Sequence, residues 1–372
     1  MLAANGFEVH AVATTATELS ETSSSTSYLA TMGISPTVHR GAKARPRPEL
    51  GFEHRQIRYR LLDVGRSGLN GWQKLYNRQF DLMFDDELHG FQPDVLVCYG
   101  GHPGDVDRYR RARRQGVKIV FTLHNEGYLA SSDFFGAFDA VLTPSQYLSG
   151  VYRTRLGIES TALPVPIELE DVMVESREPI FTTMINPSPE KGLMVVTRLA
   201  EEMSLQRPDL AMLFIESRGS AGRLVQAGLA GGFDLRRHEN LMLSPPVSQP
   251  KEIYAATRVL LVPSLWNEPA GRVVAEAMLN GIPPLVSDRG GLPEMCQGAG
   301  FALHIPAEIT QSSSRPVEPD VVKPWIDLIA RLEDDDEFYQ RHSSLAREAS
   351  RIYHPDRLVP RYVEFFRSVL SS

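Results

Sequence analysis

The sequence predicts an α/β protein built from two domains. Short apolar runs bounded by turn residues alternate with helical patterns, which is typical of parallel strands joined by crossover helices. The chain has 372 residues, more than one ordinary core requires, and suits two domains of about 150 to 200 residues each. Three prolines and five acidic residues interrupt the periodicity between Leu163 and Pro179, so we place the interdomain linker there.

The elements follow in order along the chain. The opening MLAANGFEVHAV reads as the end of a helix, a stop at Gly6 and then a strand. The predicted strands are EVHAVAT, IRYRLLDV, DVLVCYG, KIVFTLH, AVLTPS, IFTTMI, AMLFIES, NLMLSPP, RVLLVPS and PPLVSD. The predicted helices are residues 71–91, 192–206, 251–257, 271–281 and 356–370. The last of them needs an apolar groove because it carries, at helical spacing, Leu358, Tyr362, Phe365, Phe366 and Val369.

Composition restricts the class of protein. Hydrophobic residues make up 42% of the chain and charged residues 23%, as in a soluble globular protein, and no apolar run approaches the roughly 18 residues that span a membrane. The N-terminus lacks the pattern of a secretory signal, so we expect a cytoplasmic protein, with peripheral contact at the inner membrane face as an option. Cys98 and Cys296 lie far apart without a CxxC pattern, which predicts buried small side chains.

Charge is unevenly distributed along the chain. The net charge is −7, yet residues 1–165 hold 18 Lys and Arg against 17 Asp and Glu. Basic residues cluster at Arg40 to Arg47, Arg55 to Arg60 and Arg108 to Arg114. Such clusters suit an anionic acceptor or membrane surface, or simply the solvated faces of helices. The acidic total and the lack of a recognisable motif argue against nucleic acid.

One stretch carries most of the chemistry, SLWNEPAGRVVAEAMLNGIPPLVSDRGGLPE. A strand ends in a loop bearing Glu268, Pro269 suits a first helical turn, and Glu276 lies within the following helix. Eight residues of helical rise separate the two carboxylates by roughly 12 Å, which suits an extended ligand better than one metal ion. The helix N-terminus would hold a phosphate through three amides, those of Ala270, Gly271 and Arg272. The stretch therefore suits a ligand made of sugar, diphosphate and ribose.

This stretch resembles the Glu-x7-Glu signature of the retaining glycosyltransferases of family 4, and the similarity runs over nearly the whole chain. The resemblance implies the GT-B fold, in which two Rossmann-like domains face each other across a cleft. It implies that residues 1–165 form the acceptor-side domain and residues 166–352 the nucleotide-sugar-binding domain. Residues 353–372 would form a helix that packs back on the N-terminal domain, which would lack its first strand.

The family pattern assigns roles to individual residues of the donor site. Glu276 would bind the ribose, and Glu268 would bind donor-sugar hydroxyls near the reacting carbon. SDRGGLPE resembles the family's turn beside the donor, which adds Gly290 and Gly291; by itself it reads as a tight turn before a helix. In INPSPEKGL, Lys191 would offer its ammonium group to the diphosphate leaving group.

Asn186 departs from the family pattern, and His124 adds a residue from the first half of the chain to it. The family has an arginine five residues before the lysine, where this chain has Asn186, so one phosphate contact would be neutral or supplied elsewhere, for example by Arg272. KIVFTLHNEGY places His124 at the carboxyl end of a buried strand, where open α/β sheets bind ligands. The family has a histidine there, near donor and acceptor, and Glu126 could orient it. Ser145 and the loop CYGGHPGD are weaker candidates for the cleft and the acceptor side.

The resemblance implies a retaining glycosyltransferase with Glu268, His124 and Lys191 as catalytic residues. It would use a nucleotide-sugar donor as co-substrate, without a metal or other cofactor, and a carbohydrate, lipid-linked or small-molecule acceptor. One alternative is a catalytically silent or truncated sugar-nucleotide-binding protein, which Asn186 and the missing strand favour. Another is a GT-B sugar-nucleotide epimerase, which would need no acceptor. The sequence identifies neither the donor sugar and base nor the acceptor.

Overall fold

The structure of the chain, a computed structural model, describes residues 1–16, 24–40, 45–65, 71–217 and 220–371. Its strands are numbered along the chain as β1 (Val9–Thr14), β2 (Thr37–His39), β3 (Glu49–His54), β4 (Ile57–Leu62), β5 (Val95–Cys98), β6 (Lys118–Thr122), β7 (Ala140–Thr143), β8 (Thr161–Ala162), β9 (Phe181–Ile185), β10 (Met212–Ile215), β11 (Leu241–Ser244), β12 (Thr257–Val262), β13 (Pro284–Ser287) and β14 (Phe301–Leu303). All ten predicted strands are confirmed.

The α-helices in the described residues are α1 (Ser25–Thr31), α2 (Gly71–Phe91), α3 (Pro103–Arg114), α4 (Gln146–Leu156), α5 (Leu169–Val172), α6 (Leu193–Gln206), α7 (Ala221–Ala230), α8 (Pro250–Ala256), α9 (Arg272–Leu279), α10 (Leu292–Met295), α11 (Pro319–Asp334), α12 (Asp336–Ala349) and α13 (Pro355–Ser371). The five predicted helices, which are α2, α6, α8, α9 and α13 of these, begin and end within two residues of the predicted bounds. At the start of the chain a short 3-10 helix ends at Gly6, whose φ is 85°, and β1 follows. The predicted helix end, stop and strand are thereby confirmed.

Two compact units divide the chain. The first comprises residues 1–122, 132–141 and 359–372, and the second comprises residues 123–131 and 142–358. The boundaries inferred near residues 165 and 352 stay predictions.

The strands form three sheets. Their orders are β1-β4-β3-β2, β5-β6-β7-β8 and β11-β10-β9-β12-β13-β14. Every pair in the six-stranded sheet is parallel, but β3 runs antiparallel to both β2 and β4. The expectation of parallel strands therefore fails for this hairpin, in which β3 and β4 are joined by the two residues Arg55 and Gln56 at positive φ.

The six-stranded sheet is covered on both faces. Alternate residues of β12 enter different cores: Val259 and Leu261 join the cluster packed around α6 and α11, whereas Leu260 and Val262 join the cluster packed around α9. Successive side chains of a strand point to opposite faces, so the continuous apolar run RVLLV is what a strand between two helix layers requires. The sheet therefore has the doubly wound arrangement, in which ligands bind at the carboxyl ends of the strands.

The acidic, proline-containing segment 163–179 packs within the second unit. It includes α5, and the side chain of Val172 is 1% exposed within the α9 cluster. The Arg177 guanidinium donates to the carbonyl oxygens of Thr257 (2.5 Å), Asn280 (2.8 Å) and Tyr254 (3.3 Å). Three carbonyl acceptors on one half-buried cation fix this segment in place.

Much of the basic charge of the first unit is paired within that unit. Glu49 of β3 is 5% exposed and accepts from Arg45 and Arg60. Arg108, 2% exposed, donates to Asp81 of α2 at 2.9 Å. The pairing of these arginines favours the alternative that the basic clusters form solvated faces and packing contacts, and it argues against an anion site there. Residues 41–44 of the first cluster lie outside the described residues.

Two remaining sequence expectations concern cysteine and membrane segments. Cys98 and Cys296 are both free and buried, as predicted, and burial raises the pKa of Cys296 to about 12. Within the described residues, every helix is too short or too polar to cross a bilayer.

Candidate functional site

The topology of the six-stranded sheet places the predicted donor residues at one point. From β9 the chain moves outward through β10 to β11, then crosses back to β12 on the other side of β9 and continues through β13 to β14. The strand order therefore reverses between β9 and β12, and ligands bind at the carboxyl ends beside such a reversal. Lys191 follows β9 and Glu268 follows β12, so the fold brings these two predicted residues together.

An ion pair forms the centre of the candidate site. The Lys191 ammonium group donates to Glu268 Oε1, which also accepts from the buried Ser264 hydroxyl at 2.9 Å. Glu268 is 7% exposed, whereas the Lys191 side chain is 28% exposed. The Trp266 ring lies 5.7 Å from the ammonium nitrogen. Lys191 can therefore exchange partners at modest cost, while Glu268 is fixed by its surroundings.

The turn containing Gly290 and Gly291 fixes the Glu268 backbone. The Gly291 N–H donates to the Glu268 carbonyl oxygen at 2.7 Å. Gly290 has φ 61°, and a Cβ on it would collide with the Glu268 backbone nitrogen and carbonyl oxygen. The predicted tight turn is confirmed. Its two glycines are required because the backbone of the Glu268 loop lies too close to leave room for a Cβ.

We expect Gly290→Ala to lower the free energy of unfolding by more than Gly298→Ala does. Both glycines have positive φ, 61° and 76°, which costs a side chain about 1–3 kcal/mol. Nothing lies within 4 Å of a Cβ on Gly298, so the difference between the variants measures the clash with Glu268. Urea denaturation of both variants checks this, and equal losses would contradict it.

Helix α9 begins later than the sequence suggested. Its first residue is Arg272, and Gly271 is the N-cap, so Pro269 lies before the helix and not in its first turn. The Gly271 carbonyl oxygen accepts from Val274 at 2.8 Å, which leaves the preceding amides of Arg272 and Val273 outside the helical ladder. A Cβ on Gly271 would lie 2.5 Å from Leu292 Cδ2. Packing against α10 therefore explains this glycine, and the binding of an anion by the amides at this helix end stays a prediction.

Glu276 is the second buried carboxylate, at 3% exposure. Its Oε2 accepts from the Tyr254 hydroxyl at 2.6 Å and its Oε1 from Arg272 Nε at 2.5 Å. Burial holds the pKa of Tyr254 well above its usual range, so its hydroxyl stays a donor. Each carboxylate oxygen has a second lone-pair direction, which leaves capacity for two ligand hydroxyls. The Arg272 side chain is 61% exposed, and its present partner is Glu276.

Asn186 occupies the first position after β9. Its φ is 63°, a left-handed conformation that asparagine tolerates better than most residues. Its N–H donates to the Ile215 carbonyl oxygen and its carbonyl oxygen accepts from Ser188, both at 2.8 Å. Asn186 therefore shapes the turn that leads to Lys191, and its predicted contact with a donor stays a prediction.

His124 lies two residues beyond the end of β6, as predicted. The imidazole is half-buried, and burial lowers its pKa below the ordinary value of 6.5. Glu126, the residue expected to orient it, accepts from the Tyr147 hydroxyl at 2.7 Å. The role of His124 beside donor and acceptor stays a prediction.

The lowered pKa of His124 predicts a pH dependence of stability. Below pH 6.5 the unfolded chain protonates this imidazole, whereas the folded protein does so only at its lower pKa. The stability linked to His124 is therefore present above pH 6.5 and is lost as the pH falls through the interval between the two pKa values. We expect His124→Gln to flatten the free energy of unfolding measured by urea between pH 7.5 and pH 5. An unchanged pH dependence would contradict this expectation.

Two further polar residues of the second unit form hydrogen bonds at the N-terminus of α4. Ser145, a weaker candidate from the sequence, is the N-cap of α4: its oxygen accepts from Leu148 N–H at 3.1 Å, and its hydroxyl donates to the Pro269 carbonyl oxygen. Glu294, which sequence reasoning missed, accepts from the amides of Gln146 (2.8 Å) and Tyr147 (2.7 Å). A carboxylate on two N-terminal amides neutralises the positive end of α4. These bonds connect the loop after Glu268 and α10 to α4.

Other candidates take structural roles or stay untested. The Tyr109 hydroxyl of α3 donates to the carbonyl oxygens of Tyr99 and Gly100 in the loop CYGGHPGD. The predicted place of this loop on the side of the sugar acceptor stays a prediction. In the part of the chain that the structure describes, no three His, Cys, Asp or Glu side chains gather as a metal ion would require.

Sequence comparison links the second unit to a known family. Residues 170–348 match the sequence model of the family described as "Glycosyl transferases group 1". A 120-residue stretch is 27% identical to spore coat protein SA from Bacillus subtilis, covering 31% of this chain and 32% of that protein. The chain thus matches about a third of the length of this relative.

Solved structures resemble most or nearly all of the chain. Sucrose-phosphate synthase from Thermosynechococcus elongatus aligns with a TM-score of 0.66 and 15% identity, over 98% of this chain and 99% of that chain. HepE from Anabaena, solved in complex with UDP-glucose, aligns with a TM-score of 0.59 and 16% identity, over 78% of this chain and 82% of that chain. These likenesses establish the fold: α/β GT-B with two Rossmann-like domains containing parallel sheets.

Proposed function

We propose that this chain, whose residues 170–348 match the model of the glycosyl transferases group 1 family, transfers a sugar, with retention, from a nucleotide-sugar donor. The observation that carries the proposal is the Lys191–Glu268 ion pair at the strand-order reversal, beside the N-terminus of α9. A cation, an anion-binding helix end and two buried carboxylates meet the needs of diphosphate, sugar and ribose in one place. These residues are the proposed donor site of the glycosyltransferase.

The proposed diphosphate position lies between Lys191 and the first amides of α9. In the structure, the ammonium group neutralises Glu268. When a diphosphate binds, we expect Lys191 to turn to its oxygens, because a phosphate carries more charge than one carboxylate. Glu268, still held by Ser264, then accepts from donor-sugar hydroxyls. Binding of the donor thus sets both groups in the arrangement that transfer needs.

Transfer breaks the bond between the anomeric carbon and the diphosphate oxygen and forms one from that carbon to an acceptor oxygen. Negative charge develops on the departing oxygen, where Lys191 and the amides of Arg272 and Val273 stabilise it. The acceptor hydroxyl attacks from the face that the leaving group vacates, and its proton passes to the departing phosphate oxygen. Glu268 positions the donor and forms no covalent intermediate.

We propose a UDP-sugar as the first donor to test, because HepE, which shares the fold, was solved with UDP-glucose. The acceptor is a glycan, a lipid-linked sugar or a small metabolite. A silent sugar-nucleotide-binding protein is the second candidate, and Asn186 at the position of the family's arginine favours it. Both candidates bind the donor, and only the first transfers sugar.

The test is a thermal-shift panel with UDP, GDP, ADP and their sugars. A ligand that binds only the folded state raises the Tm, because it increases the free energy of unfolding. At a ligand concentration of a hundred times Kd, the increase is about 2.7 kcal/mol. We expect one nucleotide series to raise the Tm of the wild type and to raise that of Glu276→Ala by much less. Donor hydrolysis or transfer to an acceptor library then separates enzyme from silent binder. A folded wild type that responds to no nucleotide would overturn the proposal.

A further inference from the structure

Trp266 departs from the usual burial of its residue type. Tryptophan side chains are highly buried on average, and Trp72 and Trp325 of this chain are 8% and 0% exposed. Trp266 is 39% exposed, although it lies only two residues before Glu268 of the proposed donor site. A large aromatic ring exposed beside a binding residue indicates a surface that a ligand covers.

The backbone of Trp266 is held against the loop that carries Lys191. The Glu190 carbonyl oxygen accepts from the N–H groups of Leu265 at 2.9 Å and Trp266 at 3.1 Å. Because Glu190 immediately precedes Lys191, these two bonds join the loop after β12 to the loop after β9. The place of the Trp266 backbone beside Lys191 is therefore set before any ligand binds.

The Lys191 ammonium nitrogen connects the Trp266 ring to the Glu268 carboxylate. This nitrogen lies over the ring, 5.7 Å from its centre, and donates to Glu268 Oε1. An aromatic face and a carboxylate that Ser264 fixes thus meet at one point. When Lys191 turns to the diphosphate, as proposed above, both groups become free to contact the next part of the donor, which is its sugar.

A sugar ring has the chemistry that these two groups recognise. The C–H groups of a pyranose carry small positive charges and gather on one face of the ring, whereas the face of an indole is negative. The hydroxyl groups lie at the edge of the sugar ring, where a carboxylate can accept from them. A carboxylate on the sugar would be repelled, because Glu268 and the indole face carry charge of the same sign.

We propose that Trp266 binds the sugar ring of the donor by stacking and selects a neutral pyranose over a uronic acid. This rests on the donor site proposed above and adds to it a residue that distinguishes a nucleotide-sugar from the bare nucleotide. Lys191 and the N-terminus of α9 act on the diphosphate, which both ligands contain. Trp266 acts on the sugar, so its loss weakens binding of the nucleotide-sugar and leaves that of the nucleotide nearly unchanged.

The first test is calorimetric titration with UDP, GDP and ADP and with the glucose conjugate of each. For the series that binds the wild type, Trp266→Ala should bind the conjugate about tenfold more weakly and the bare nucleotide within about twofold of wild type. Trp266→Phe keeps an aromatic face and should restore most of the loss. Tyr28→Ala, at an aromatic residue of the first unit that is 52% exposed, is the control and should bind both ligands as the wild type does.

The charge of the sugar is tested with the glucuronate conjugate of the same nucleotide. We expect the wild type to bind it about tenfold more weakly than the glucose conjugate, because like charges brought together oppose binding. Equal affinity for the two conjugates would contradict the selection of a neutral sugar.

The second test is quenching of tryptophan fluorescence by acrylamide, which reaches exposed Trp266 but not buried Trp72 and Trp325. The glucose conjugate should remove most of the quenching, whereas the bare nucleotide should not, because Lys191 then leaves the ring uncovered. Unchanged quenching with the conjugate, or equal losses of affinity for nucleotide and conjugate in Trp266→Ala, would overturn this proposal and leave the donor site in place. A folded wild type that binds no nucleotide would overturn both.

Discussion

Glu268→Gln will lower kcat for sugar transfer by about 10² to 10³, the usual loss when one group that stabilises the transition state is removed. Glutamine keeps the shape of the side chain and can still accept from Ser264, so the fold should survive. It removes the negative charge that holds Lys191 and the second acceptor oxygen for a donor hydroxyl. The measurement is transfer, or donor hydrolysis if the acceptor is unidentified, together with thermal unfolding.

Lys191→Met tests the cation of the Lys191–Glu268 ion pair. It removes the cation from the proposed leaving group, and we expect a loss of similar size in kcat. The double variant should lose much less than the product of the two single losses, because groups that act as one unit are not additive. Glu308→Gln, at an exposed acidic residue of the same unit, is the matched control. Near-wild-type turnover in Glu268→Gln and Lys191→Met would rule out the proposed donor site.

Glu276→Ala will weaken nucleotide binding by about 10- to 100-fold, since a hydrogen bond to a charged group contributes about 1.5–3 kcal/mol. It should also destabilise the protein, because the Tyr254 hydroxyl, in a residue 1% exposed, loses its partner. An unsatisfied buried hydroxyl costs about 1–3 kcal/mol. Calorimetric titration with nucleotide and urea denaturation measure the two effects.

Tyr254→Phe separates these effects. It leaves the Glu276 carboxylate in place but removes the hydroxyl that orients Oε2. We expect KM for the donor to rise while kcat changes little, because ribose lies away from the reacting carbon. If Tyr254→Phe lowered kcat as strongly as Glu268→Gln does, the assignment of Glu276 to the ribose would be wrong.

The sequence predicted the elements well where periodicity alone determines them. Helix α2 has the predicted bounds, Gly71–Phe91, and β12 follows the run RVLLV. By contrast, β3 was missed because ELGFEH contains two acids and a glycine. Glu49 is buried there because Arg45, four residues earlier, and Arg60, on the paired strand β4, neutralise it.

In the candidate site, the residues that follow neighbouring strands were predictable from the sequence, but their partners from remote positions were not. Lys191 and Glu268 follow neighbouring strands, so a parallel sheet brings them to one edge, and the structure joins them. Partners from remote positions gave no local signal: Tyr254 reaches Glu276 from α8, and Glu294 reaches the amides of α4. Ser264 was the exception, since it precedes Glu268 by four residues in the quoted motif and closes a local loop.

The segment 163–179 also bears on how this protein can be divided. Proline and acidic residues usually mark an exposed connection, where proteases cut and where split proteins or inserted domains are tolerated. Here Val172 is buried, and Arg177 donates to three carbonyl groups of α8, β12 and the end of α9. A cleaved or interrupted segment would release the backbone around Tyr254 and hence Glu276. Any attempt to express two separate halves should therefore keep residues 163–179 with the C-terminal half.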